Sequence, residues 1–199
     1  MEVFTIDPIM GLVAVFVLIA LNGIFVAGEF SLVAVDAERV EVMAGEGHRR
    51  ARTVKKLLSR LSFHLGGAQL GITVTSLLLG FLAEDTIGEF LGYLPGFNLT
   101  SGPAQAGIAI AIAAVIQMVF GELAPKNIAI SRPLGTGLWL GPILRVYGVI
   151  SAPVTATFNG LANRLLRLCG IEPVEELRSL RSLEDLEHLV RASSARTIR

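Results

Sequence analysis

PIMGLVAVFVLIALNGIFVAGEFSLVAV, residues 8–35, carries a single charge along its whole length, Glu29. An apolar run of roughly 18 residues or more with few charges is long enough to cross about 30 Å of hydrocarbon as a helix. The stretch therefore reads as a transmembrane crossing. Two further runs share the pattern: Leu61–Ala83, uncharged apart from any proton on His64, and the Ala/Ile-rich Ala106–Gly121. Hydrophobic types make up 52% of the chain and charged types 17%, against about 25% charged in a soluble domain. The formal net charge of +0 gives no electrostatic case for a nucleic-acid partner. One cysteine, Cys169, excludes an internal disulfide framework and shows no metal-site spacing. Met1-Glu2 lacks a basic flank and the following run is too long for a signal peptide. No nucleophile–base set and no phosphate-cradling loop stands out, so the chain does not read as an enzyme.

Between the first two runs lies a polar segment, 36–60, with Arg39, Arg49, Arg50, Arg52, Lys55, Lys56 and Arg60. Its sparse apolar residues predict surface helices beside the membrane. The segment 84–105 holds Glu84, Asp85 and Glu89 but no Lys or Arg, and Pro95-Gly96 and Gly102-Pro103 mark turns, so it reads as a loop. Lys and Arg concentrate in short cytoplasmic segments, which places 36–60 inside, 84–105 outside and the N-terminus outside. The fourth apolar region, Pro133–Asn163, is interrupted by Pro142, Pro153 and glycines, with Arg145 near its middle. A full fourth crossing would put Arg164, Arg167, Arg178 and Arg181 outside, against the charge rule. The expectation is an all-α integral membrane protein: three transmembrane helices plus cytoplasmic-side juxtamembrane and broken helices. Residues 1–170 form the membrane domain. From 171 to 199 the composition turns soluble, Ser182–Arg191 predicts an amphipathic helix capped by Ser182, and the abrupt end looks like a truncation.

Polar and ionisable groups inside the membrane are costly and mark functional sites by default. Asn22 and Glu29, seven residues apart, share one helical face. Gly23, Ala27 and Gly28 thin the helix between them for close approach by another backbone, and Ser31 lies about half a turn off that face. Alternatively, Asn22 joins helices and Glu29 reaches the cytoplasmic end. Gln69, Thr73, Ser76 and Gly80 form a polar, small stripe on the second run, equally suited to helix packing or to ligation. Gly67 and Gly71 hint at close helix contact.

Gly-Glu-Leu-Ala-Pro-Lys-Asn, 121–127, is the most informative cluster. Pro125 has no N–H, so in a helix the carbonyl of Gly121 loses its partner. Glu122 sets a carboxylate beside that oxygen and Asn127 an amide. Irregular backbone at membrane depth is tolerated only where protein or a polar cavity satisfies it. The cluster reads either as an oxygen-rich cation site or as a Glu122–Lys126 ion pair at a kinked helix end. All candidate donors are oxygen, which suits Mg²⁺, Ca²⁺ or Na⁺ over copper or zinc. Composition does not choose among the three. His48 and His64 stand alone and read as packing or surface residues.

Asn22–Val33, Gln69–Ser76 and Gly121–Asn127 together resemble the three signatures of the CorC/CNNM membrane domain, a similarity running from about residue 8 to 190. The resemblance implies a homodimeric Mg²⁺ transporter of the bacterial-type plasma (inner) membrane, exporting Mg²⁺ with Na⁺ as coupling ion. It implies multi-pass topology with the N-terminus outside and the C-terminus cytoplasmic, and a cytoplasm-facing Mg²⁺ site. Carried onto this chain, the metal-binding residues are Asn22, Glu29, Gly121 through its carbonyl, Glu122 and Asn127, with Ser31 and Ser76. Family members continue into paired CBS modules that bind ATP, so ATP is expected to act only through modules absent here, towards which 171–199 would lead. Two functions are compatible with the site: a transporter working by alternating access, or a Mg²⁺-responsive membrane regulator that moves no ion itself.

Overall fold

The computed structural model describes residues 8–92 and 103–171, and all of its regular structure is helical. Helix α1, Pro8–Ala34, is the first apolar run and at 27 residues is about 40 Å long. Asp36 then caps α2, Ala37–Gly45, its carboxylate accepting from the backbone N–H groups of Glu38 (3.0 Å) and Arg39 (3.3 Å). The chain turns at Gly47, whose φ of 96° favours glycine. His48 caps α3, Arg49–Leu58, with Nδ1 accepting from the Ala51 N–H at 3.3 Å. The lone histidine is thus a capping residue, and 36–60 does form short surface helices.

Helix α4, Leu61–Gly92, is longer than expected. The acidic segment from Glu84 to Gly92 continues the helix instead of starting a loop, because Thr86 and Ile87 find buried positions. Ile87 packs with Ala109 and Ala113 of α5, Pro103–Ile116. The turn expected at Pro95-Gly96 lies outside the described residues. Pro103 opens α5, a position where its missing N–H costs nothing. A π-helical segment, Gln117–Leu123, follows without a break, and then α6, Ala124–Ser131.

The fourth apolar region corrects the expectation of broken helices. It is one continuous helix, α7, Pro133–Leu168, with Pro142 and Pro153 inside it. Thr157 Oγ1 donates to the Pro153 carbonyl at 2.8 Å, and α7 packs on α1, α3 and α4, with its buried positions between Gly137 and Thr155. By length and composition four helical runs, Ile9–Ala34, Leu61–Leu82, Gly107–Ser131 and Pro133–Leu168, suffice to cross a membrane. The capped helix expected at 182–191, and the linker reading of the C-terminal segment beyond Ile171, lie outside the described residues.

Helix α1 is the axis of the fold. Val15 and Ile19 pack on Leu79 of α4, Ala27 packs on Ala129 of α6 and Leu140 of α7, and Phe25, Leu32 and Val35 join Val54, Leu57 and Leu144. Close approach is purchased with glycine. A Cβ on Gly23 would stand 3.0 Å from Pro125 Cγ, and one on Gly28 would stand 2.8 Å from the Leu144 methyls. Facing outward are large apolar side chains, among them Phe16, Phe81 and Phe158. A hydrophobic exterior over a small-residue interior is what a hydrocarbon solvent selects.

Candidate functional site

The proline break shapes the third long helical run. With no N–H at 125, the ordinary bond to the Gly121 carbonyl cannot form, and the helix widens just ahead of it. The Ala124 N–H reaches back five residues to the Val119 carbonyl. Single π turns of this kind recur at functional sites. Gly121 is buried, and its carbonyl accepts from Asn22 Nδ2 of α1 at 3.2 Å.

Asn22 is only 1% exposed and ties three elements together. Its Oδ1 lies 2.7 Å from Thr75 Oγ1 and 3.4 Å from Ser76 Oγ, both on α4. Thr75 Oγ1 also lies 2.9 Å from the Gly71 carbonyl and 3.0 Å from the Ile72 carbonyl of its own helix, so its one proton is shared among three acceptors. Ser76 Oγ in turn accepts from Gln117 Nε2, the first residue of the π segment. Four oxygens from three helical runs (Asn22 Oδ1, Thr75 Oγ1, Ser76 Oγ and the Gly121 carbonyl) therefore form one buried polar cluster. None carries a formal charge.

Of the sequence-predicted residues, the structure brings Asn22, Ser76 and Gly121 together. Ser31 is fully buried but donates to the Gly28 carbonyl of its own helix at 2.8 Å, and it faces Gly137 of α7. Glu29 is half-buried, whereas Glu122 and Asn127 are exposed on the outer side of the π segment and α6. The alternative Glu122–Lys126 pair does not form. Lys126 Nζ sits 4.5 Å from the centre of the Phe30 ring, a cation–π contact. Among the described residues, no group of three or more His, Cys, Asp or Glu side chains converges. A cavity of about 520 Å³ beside Pro125 is apolar, lined by Gly23, Ala27, Phe120 and Trp139 with Arg132 at its edge, and neither glutamate lines it.

Thr75 and Gln117 were missed in the sequence. Gln117 is the one polar side chain in the Ala106–Gly121 run, a legible sign. Thr75 was hidden by phase. The buried face of α4 is Ala68, Gly71, Thr75 and Leu79, one position away from the Gln69–Thr73–Ser76–Gly80 stripe, whose Gln69, Thr73 and Gly80 are exposed. Gly67 and Gly71 do mark close contact: a Cβ on Gly71 would stand 2.8 Å from the Phe25 ring, and one on Gly67 3.5 Å from Ser151 Oγ.

Residues 12–198 match the family described as the Cyclin M transmembrane N-terminal domain, CNNM. The chain is 40% identical to a UPF0053 protein of Mycobacterium tuberculosis over 94% of its own length and 42% of the relative's. It is 35% identical to the UPF0053 protein YugS of Bacillus subtilis, over 84% of this chain and 40% of that one. A UPF0053 protein of Synechocystis is 31% identical over 81% of the chain. The chain thus spans about two-fifths of the length of these relatives. It belongs to the CorC/CNNM family, whose membrane domain is linked to metal-ion transport or its regulation.

Proposed function

We propose that the chain is the membrane domain of a Mg²⁺ transporter that exports Mg²⁺ by alternating access, with Na⁺ as the coupling ion. The observation that carries this reading is the Gly121 carbonyl, freed by Pro125 and held by a neighbouring helix's amide at 3.2 Å. That bond is exchangeable. If Asn22 releases the carbonyl, its own Oδ1, the two hydroxyls of α4 and the carbonyl become oxygen donors for a hard cation. Glu122, one residue on, and Glu29, two turns along α1, supply the negative charge that this neutral cluster lacks. Mg²⁺ sheds water reluctantly and is commonly held by one or two carboxylates with several waters retained, which suits a mixed set of this kind. Asn127 belongs to the outer part of the site and Ser31 to its buried side on α1, each reached when the π segment shifts.

A homodimer is supported by what the single chain leaves outside. Glu122 and Asn127, and separately Gln69 and Thr73 of α4, are exposed on helices whose other exposed side chains include Met118, Phe120, Leu77 and Phe81. Polar groups facing lipid are costly, and a second copy of the chain would cover them. In this reading α7, although long enough to cross, lies along the cytoplasmic face. The charge rule then keeps the cationic α2–α3 segment and the C-terminus on the cytoplasmic side of the plasma membrane and the N-terminus outside.

The test is efflux from Mg²⁺-loaded proteoliposomes, with and without a Na⁺ gradient, alongside thermal melting in Mg²⁺. Glu122→Ala is expected to abolish both efflux and Mg²⁺-dependent stabilisation while leaving the Mg²⁺-free melt unchanged, since the side chain is exposed. Undiminished efflux by that variant overturns the reading. Retained Mg²⁺ stabilisation of the wild type with no flux at all favours the regulator, which shares the site but moves no ion.

A further inference from the structure

Helix α3 builds a second polar feature, separate from the ion site. Its apolar side, Ala51, Val54 and Leu57, is fully buried, with Val54 and Leu57 packed beside Leu144 of α7. The fit is tight: a Cβ on Gly141 would stand 3.0 Å from Val54 Cγ2. With that side fixed, Arg49, Arg52 and Lys56, at helical spacing i, i+3, i+7, share the neighbouring face. Arg145 of α7 rises to meet them. These four cations and Thr53 line a cavity of about 270 Å³.

No carboxylate lines this cavity, and among the described residues the only ion pair is Lys55–Glu41, exposed and off this face. Arg52 is anchored by donating Nη2 to the Gly47 carbonyl at 2.7 Å, leaving its other N–H donors for a ligand. Four like charges around one hollow repel each other, so the site favours an anion with several acceptor oxygens. An adjoining groove of about 390 Å³ shares Thr53 and Arg145 but is otherwise apolar, running along Pro142, Val146, Val149 and Ile150. The three aliphatic side chains are 62%, 72% and 71% exposed. A basic pocket opening directly into an outward apolar groove is complementary to an anionic headgroup with its acyl chain.

We infer that the α3–α7 junction is a binding site for an anionic phospholipid of the surrounding leaflet. The phosphate sits among Arg49, Arg52, Lys56 and Arg145, and an acyl chain lies along Val146, Val149 and Ile150. Basic pockets beside transmembrane helices bind such headgroups by this chemistry. Occupancy would clamp α3 to α7, and α7 packs directly on α1, so the lipid would stabilise the helix that carries Asn22.

The chain in detergent is titrated with phosphatidylglycerol or phosphatidylcholine, and bound lipid is counted by native mass spectrometry. Wild type is expected to prefer the anionic lipid. R49Q/R145Q is expected to weaken phosphatidylglycerol binding about 25-fold, from about fivefold per cation at ~1 kcal/mol each. R39Q/R50Q removes the same charge outside the pocket and is expected to change binding less than about twofold. K56Q alone, expected to cost about fivefold, covers the case in which the double variant loses its fold. Equal binding of the two lipids, or equal losses in the pocket and control variants, overturns the site. Full displacement of phosphatidylglycerol by inorganic phosphate at equal concentration also overturns it, since the pocket would then hold a free anion and the groove would contribute nothing.

Discussion

Two helical runs in this protein contain proline at membrane-spanning length, and they respond differently. Around Pro125 the helix widens into a π segment, whereas α7 passes through Pro142 and Pro153 as a continuous 36-residue helix. Each proline withdraws one N–H and so frees one carbonyl four residues back. At Pro125 that carbonyl belongs to Gly121, which is buried and met by Asn22 from another helix. At Pro153 the freed carbonyl is that of Val149, which meets no side-chain donor from another helix among the described residues; Thr157, exposed and in the same helix, bonds the Pro153 carbonyl instead. The deciding variable is what the neighbouring helix offers. A donor reaching across draws the irregular backbone inward and fixes it there, whereas a solvated or self-satisfied stretch has no cause to deform.

The largest expected effect breaks this contrast at its centre. Asn22→Ala removes the donor to Gly121 and the acceptor for Thr75 and Ser76 at once. A buried polar group left without a partner costs about 1–3 kcal/mol, and hydrogen bonds between transmembrane helices have measured at about 0.6–1.7 kcal/mol. A loss of about 2–3 kcal/mol in reversible unfolding in bicelles is expected. A loss below about 0.5 kcal/mol would mean that the cluster does not hold the π segment in place. A double-mutant cycle then sharpens the comparison. Pro125→Ala restores the N–H that Gly121 lacks, so the penalty of Asn22→Ala is expected to shrink by about 1–2 kcal/mol in that background. Pro153→Ala shares no partner with Asn22, and its effect is expected to add within about 0.5 kcal/mol. Equal coupling to both prolines would erase the distinction.

Much of this was legible in the sequence, and the exceptions have physical causes. Apolar helices of membrane-spanning length, the surface helices of 36–60 and the freed Gly121 carbonyl follow from the apolar runs, the charge spacing and the missing N–H of Pro125. The joining of Asn22 with Gly121 was implied by the family resemblance, and the fourth long helix was not expected. Continuity of α7 did not follow, because proline reports a lost bond and not whether packing tolerates it. The buried face of α4 was misphased by one residue, since Thr73, Thr75 and Ser76 are all polar and only contact with Asn22 selects Thr75. Helical extension through Glu84 was masked by its acidic composition, whereas Thr86 and Ile87 had the deciding contacts. Placement of the two glutamates relative to the cluster depends on inter-helix geometry that spacing along one helix does not encode.

The smallest expected effect lies at the other proline. Thr157 is exposed, and its hydroxyl bonds only to its own helix, to the Pro153 carbonyl. Removing it by Thr157→Ala deletes a bond that back-bonding threonines make at slight expense to the helix, and replaces threonine with a better helix former. Loss and gain are each a few tenths of a kcal/mol and opposite in sign, so the change in unfolding free energy is expected to stay within about 0.5 kcal/mol of zero. A drop comparable with that of Asn22→Ala would show that this bond, which leaves the Val149 carbonyl freed by Pro153 untouched, carries as much stability as the cluster between helices. Bonding within α7 would then matter as much as the bond that crosses between helices at Pro125.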